Sequence, residues 1–374
     1  IALMWYIMQI TGSSIQMGTS LIFSGLPILV LGTFAGTIAD RFDRKKIVII
    51  SDILSGLLVG IMFIISLEKV KNVLYLYIIS LFISSVSAFF NPCYSALIPA
   101  IVKKDDLPYA NSLSQFSSGI SSIAGPCAAG ILICFIGIPG LFLINSISFI
   151  AAAILESFMN VPKINKSSIS SINFKEDIKE GFLFSIKNKT LLLYIIVGGA
   201  IINFFAAPLS LFIPIFSKGL SKNQSTSYGF LISSLAIGST LISILYTFIK
   251  SEKRNYYKAI TLGLFLEGIF MCLFSQTKTI IFSSVSLILL GGAFGICNIS
   301  LGTVFQKLIP NEIMGRVSSL SSMLCSISVP LGYFIGGVVA AKYKVSNIML
   351  IYGIFIIISA LPTIKVIPKK DIVL

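Results

Sequence analysis

The stretch 36–46 reads GTIADRFDRKK, and six of its eleven residues are charged. The chain around it has 374 residues, of which 56% are hydrophobic and only 11% charged, and its mean hydropathy is +0.97. A soluble domain carries about 25% charged residues. A chain this apolar, with its charges gathered between long apolar runs, reads as an all-α integral membrane protein that crosses the bilayer many times. The cluster at 36–46 directly follows one such run, so it marks a place where the chain leaves the bilayer.

Working outward from that loop, apolar runs at 1–10, 17–39, 47–67, 73–93, 110–135, 139–158, 191–216, 228–249, 259–276, 280–304, 316–341 and 345–366 predict twelve transmembrane helices. The first run is about half of the roughly twenty residues that a span needs. Half of helix one is therefore expected to be missing from this chain. With the 36–46 loop placed in the cytoplasm, 21 of the 28 Lys and Arg residues fall on the cytoplasmic side and 7 on the other. That bias supports the helix count and puts the C-terminus in the cytoplasm. The net charge of +14 is dispersed over separate loops. It encodes topology, not a nucleic-acid surface.

The longest polar segment, 160–189, contains SSISS and then FKEDIKEGFLFSIKNK. Phe174, Ile178, Phe182 and Ile186 recur there at helical spacing, which predicts an amphipathic helix on the cytoplasmic membrane surface. The chain then divides into an N-terminal six-helix half (1–159), a linker (160–190) and a C-terminal six-helix half (191–374). The halves resemble each other. Leu97-Ile98-Pro99 ends helix four and Leu308-Ile309-Pro310 ends helix ten, and NSLSQFSSGISSIAGP (111–126) parallels GRVSSLSSMLCSISVP (315–330). Parallel six-helix repeats about an axis along the membrane normal describe one transporter architecture.

GTIADRFDRKK resembles the signature of the major facilitator superfamily, roughly G-x-x-x-D-R-x-G-R-K/R. Gly36, Asp40, Arg41, Arg44 and Lys45 match it, and Asp43 stands where the pattern has glycine. Asp tolerates left-handed turn geometry, so the turn is expected to survive. ADRFDR is similar to the branch that contains macrolide-efflux and enterobactin-exporter proteins. The resemblance extends through 89–113 and the pair Gly315-Arg316. It implies a cytoplasmic latch, carried by Asp40, that holds the two halves together in the outward-open state. Asp52, inside helix three, is expected to pair with Arg41 or Arg44 in the same network. Ser121, Gly125, Pro126 and Gly130 of helix five resemble the antiporter motif G-x-x-x-G-P-x-x-G-G, in which small residues permit close contact and the proline bends the helix. Pro330, Gly332, Gly336 and Gly337 of helix eleven are their companions.

The resemblance implies a secondary active exporter of amphipathic, drug- or macrolide-like molecules that works by proton antiport. A siderophore exporter of the same fold and a truncated non-transporting paralogue are the alternatives. Embedded acids are the default coupling sites. They are Asp52, Glu156 and Glu267, of which Glu267, mid-span in helix nine, is the candidate proton carrier. Glu156, near the inner end of helix six, is expected to snorkel to the interface. The family places helices one, four, seven and ten around the cavity, so Glu267 would act from the periphery. Cavity candidates are Gln115, Asn203, Phe204, Phe205 and Asn298, with Tyr75, Tyr77 and Phe82 in helix four. Aromatics with a few amides suit a moderately apolar substrate.

The chain has no histidine, no GxxxxGK[ST] phosphate loop and no CxxC pair. An enzyme, an ATP-driven pump and a metal site are therefore not indicated, and no cofactor is expected. Cys93, Cys127, Cys134, Cys272, Cys297 and Cys325 read as small apolar packing residues. The expected partners are a small-molecule substrate, protons and the lipid of a prokaryotic cytoplasmic membrane, with no nucleic acid and the protein a monomer.

Overall fold

Hydrocarbon offers a polypeptide no hydrogen-bond partners, so each spanning segment must satisfy its own N–H and C=O groups, which a helix does locally. A computed structural model of the chain describes residues 2–68, 70, 72–102, 107–159, 161, 183–220, 224–248, 255–309 and 314–365, and its regular elements there are all helical. The chain forms two compact units, Ile1–Ser170 and Ser171–Leu374.

The first unit holds α1 (Ala2–Thr11), α2 (Ser14–Arg41), α3 (Arg44–Leu67), α4 (Val73–Ile101) and α5 (Leu107–Ser157). The second holds α6 (Lys189–Ser217), α7 (Gln224–Phe248), α8 (Tyr256–Gln276), α9 (Ile280–Leu308), α10 (Met314–Lys342) and α11 (Val345–Ile364). Among the described residues eight helices, α3 to α9 and α11, are long and apolar enough to cross a membrane. Most of the amphipathic segment expected in the linker, including Phe174, Ile178 and Phe182, lies outside the described residues.

Two features bear on the sequence reading. The runs 110–135 and 139–158 of α5 are two helices that meet at a kink, as the reading placed them, and the backbone turns there at Gly137, whose φ is 69. That region favours a residue without Cβ. The break in helical backbone angles thus falls between the fifth and sixth expected spans. Second, α6 is segmented: Lys189–Tyr194 is α-helical, Ile195–Ile201 is π-helical, and α-helix resumes over Ile202–Ala206 and Leu209–Ser217.

Several helix starts are capped by short polar side chains. Asp43, Asn72, Asn188, Asn255 and Thr279 each accept a backbone N–H from the first turn that follows. Such a cap satisfies a donor that the helix leaves open and typically contributes about 1 kcal/mol.

Packing inside each unit is by small residues. In the first, α3 packs on α4 and α5, and α2 packs on α4. Ser146 Oγ of α5 donates to the Gly56 carbonyl of α3 at 2.7 Å, and Ile150 fills the space where a Gly56 Cβ would stand. In the second, α7 packs on α9, and α8 packs on α9 and α11. The backbones of α7 and α9 touch: a Cβ on Gly238 would fall on the Ile288 carbonyl, and one on Gly291 on the Leu235 carbonyl. The threonine hydroxyls of Thr261 and Thr363 meet at 2.8 Å between α8 and α11. Large apolar side chains point outward instead, as at Phe135, Leu155, Phe158 and Ile281, each more than 70% exposed. Lipid tails are as apolar as leucine, so nothing drives these side chains inward, and close backbone approach holds the helices together.

Gly291→Val should therefore lower the thermal unfolding midpoint in detergent, by a loss of about 1–3 kcal/mol from overpacking. Gly302→Ala in the same helix meets open space and should leave the midpoint unchanged or raise it. Equal midpoints for both variants would contradict the α7–α9 contact.

Candidate functional site

The charged stretch forms the junction of α2 and α3. α2 runs to Arg41, Phe42 is exposed, and α3 begins at Arg44. Asp43 between them has φ −70 and ψ 106, which is extended and not left-handed. Its carboxylate accepts from the backbone N–H of Lys45 at 3.1 Å and of Lys46 at 3.4 Å. The expectation of a left-handed turn is therefore corrected: Asp43 is the N-cap of α3. The departure from the signature glycine is small in this light, because glycine is also tolerated at N-caps. A carboxylate there additionally faces the positive end of the helix dipole.

Lys45 extends from the first turn of α3 and donates Nζ to the Ser157 carbonyl at the end of α5, at 2.7 Å. This bond ties the charged loop to the last turn of the sixth expected span. It also covers one of the carbonyls that a helix C-terminus leaves open. Asp52, deeper on α3, is 6% exposed. Glu156 of α5 lies within electrostatic reach of it, and the Glu156 Oε2 atom is buried without a hydrogen-bond partner. Glu156 as a whole is half-buried, one residue before the end of α5. The side chains of Asp40 and Arg41, with Gly36, lie outside the described residues, as do those of Gln115 and Arg316 and the surroundings of Gly315.

In the antiporter-like motif, Ser121 and Gly125 are exposed, Pro126 is half-buried and Gly130 is buried. No atom stands within 4 Å of a Cβ built on Gly125. On α10, a Cβ on Gly332 would meet the Phe204 carbonyl, and one on Gly336 would meet the Pro208 ring at 2.8 Å. The companion glycines therefore serve contact with α6.

The cavity candidates separate into two kinds. Phe205 stacks on Phe355 at 5.3 Å and meets Tyr352 edge-on at 5.1 Å, and Tyr77 stacks on Phe23 at 5.3 Å while donating to the Gln16 carbonyl. These two rings are packing elements of their own units. Asn298 is exposed, as are Tyr75 and Phe82. Phe204 and Asn203 are half-buried, and the Asn203 amide donates to the Gly199 carbonyl in the π-helical turn.

Glu267 has the most unusual environment of the candidates. It lies on α8 and is 1% exposed. The Cys297 thiol of α9 lies beside it, and its Oε2 atom has no hydrogen-bond partner. Cys297 packs in the buried apolar cluster of the second unit, and all six cysteines are free thiols. No periodicity or motif marks that proximity, because the two residues come from different helices.

A family profile described as transmembrane secretion effector matches residues 1–371. Macrolide efflux protein A of Streptococcus pyogenes is 27% identical over 386 aligned positions, covering 99% of this chain and 92% of that protein. The MFS-type transporter YkuC of Bacillus subtilis is 26% identical, covering 89% of this chain and 79% of that protein. A crystal structure of a mutant nucleoside transporter NupG superposes with a TM-score of 0.77 at 14% identity, covering 98% of this chain and 95% of that one. At that identity the likeness concerns the fold.

The capping geometry yields a stability test. Asp43→Ala should lower unfolding stability in detergent by about 1 kcal/mol, and Asp43→Gly by only a few tenths. An alanine variant as stable as wild type would remove the cap from the account.

Proposed function

The chain belongs to the transmembrane secretion effector family of the major facilitator superfamily, and on that premise we propose that it is a secondary active exporter of amphipathic, macrolide-like small molecules, driven by proton antiport through alternating access. The observation that carries this reading is the likeness to a macrolide efflux protein across 99% of the chain. It is a polytopic protein of the cell membrane. We place twelve spans in it, as two six-helix repeats with a cytoplasmic C-terminus. The contacts support the repeat: spans two with four, three with four and three with six pack in the first unit, and spans eight with ten, nine with ten and nine with twelve pack in the second.

In this reading the substrate is taken up by Asn203, Phe204 and Asn298, with Gln115. Aromatic faces and amides offer an amphipathic molecule apolar area and orienting hydrogen bonds. Asp40 latches the cytoplasmic side. Ser121, Gly125, Pro126 and Gly130 supply the antiporter-like motif. Glu267 carries the proton. An ionised carboxylate in the bilayer interior is expensive, and taking up a proton relieves that cost.

Bacteria expressing the protein should tolerate several-fold more of a macrolide than cells with an empty vector, and an uncoupler should erase the difference. Protection that survives collapse of the proton gradient would rule out proton antiport. Equal susceptibility with and without the protein would remove macrolides from the substrate range. For the latch, Asp40→Asn should reduce export and increase the access of thiol reagents to the cytoplasmic side. No change in either measurement would leave Asp40 as a topology anchor only.

A further inference from the structure

Helix α6 is broken twice, and the breaks bracket five residues. Before them stands the π-helical turn Ile195–Ile201, closed by the Ile202 N–H on the Val197 carbonyl. After them Ala207 and Pro208 form a turn, and α-helix resumes at Leu209. A proline has no N–H, so the carbonyl four residues before it, that of Phe204, receives no bond from it. Between the breaks lies Ile202–Ala206, read INFFA, which holds Asn203 and Phe204. A π turn closes its bonds over five residues instead of four, so it holds one residue more than an α turn, and such turns recur at functional sites.

The neighbours treat this segment unequally. Against α10 it meets glycines: a Cβ on Gly332 would fall on the Phe204 carbonyl, and one on Gly336 would stand 2.8 Å from Pro208. α10 thus offers it backbone there and no side chain to catch on. Against α9 and α11 two residues are gripped. Ile202 is buried in one apolar cluster with Cys297 and Val304. Phe205 stacks on Phe355 at 5.3 Å and meets Tyr352 edge-on at 5.1 Å.

Each gripped residue is preceded by one of its own kind, Ile201 before Ile202 and Phe204 before Phe205. When the extra residue of the π turn is passed on toward Pro208, the segment turns by about 100° and advances by about 1.5 Å. Every residue then takes the place of the one after it. Ile201 replaces Ile202 and Phe204 replaces Phe205, like for like, while Asn203 moves into the place of Phe204. Phe205 moves into the place of Ala206, which packs on the same apolar cluster. That crowding makes the shifted register the less populated one. The Asn203 amide acts on the balance. It donates to the Gly199 carbonyl, the acceptor that an uninterrupted α-helix gives to the Asn203 backbone N–H. The side-chain bond makes that backbone bond dispensable and so favours the π turn.

We propose that Ile202–Ala206 is a two-register recognition segment with Asn203 as its positioning residue: while the amide holds Gly199 the π turn persists, and a bound molecule that takes the amide with a carbonyl or hydroxyl oxygen shifts the segment by one residue. The proposal rests on the reading of Asn203 and Phe204 as substrate contacts. It gives an amphipathic substrate a direct hold on the backbone of α6, where an amide replaces a ring as the molecule binds.

The test is cross-linking of the full chain in lipid with a short bifunctional thiol reagent, mapped by mass spectrometry. The pair Phe205→Cys with Phe355→Cys reports the observed register and should link readily. The pair Phe204→Cys with Phe355→Cys reports the shifted register and should link slowly. Adding Asn203→Ala to this second pair should speed its link several-fold, and so should a macrolide. Deleting Gly198 removes the extra residue and should abolish the second link while the first pair still links. Where the deletion stops both pairs from linking, the rate with Asn203→Ala decides. A second link that runs at one rate with and without Asn203→Ala overturns the proposal. A link that responds to Asn203→Ala but not to the macrolide overturns the substrate reading and leaves the two registers standing.

Discussion

The bilayer interior supplies no hydrogen-bond partners, and the architecture follows from that one constraint. Each spanning segment closes its own backbone as a helix. Helices in hydrocarbon then gain little from burying leucine, so they are held where their backbones come close. Gly238 against the Ile288 carbonyl and Gly291 against the Leu235 carbonyl are such places, as is the approach of Gly268 to Gly353. The outward array of exposed isoleucine, leucine and phenylalanine is the other face of the same rule.

The constraint also makes polar side chains informative. Outside the bilayer interior they close helix ends, as Asp43 does for α3 and Lys45 for the last turn of α5. Inside, most hydroxyls return a hydrogen bond to their own helix and so cost little. Glu267 and Tyr194 do not follow that pattern.

Much of this was legible in the residues. In a chain with so few charges, GTIADRFDRKK could only be a junction, and its match to the superfamily signature carried through to the family profile over residues 1–371. Other features were read less well. The signature glycine pointed to a left-handed turn at Asp43, whereas the side chain made a cap available and the backbone stayed extended. Phe205 looked like a cavity residue, yet Phe355 and Tyr352 hold it in the packing of its own unit.

What the sequence by itself determined is the class of the molecule, the placement of most spans and the identity of the charged junction. Those depend on hydropathy over about twenty residues and on charge, which are local properties. What only the tertiary structure decided is which groups face one another, as Cys297 of α9 faces Gly263 of α8 and Lys45 of α3 reaches the Ser157 carbonyl of α5. Such residues come from helices separated by long stretches of chain, and no local pattern links them. Their meeting depends on how close the helix backbones approach, down to the Gly263 contact that leaves Cys297 in place against α8.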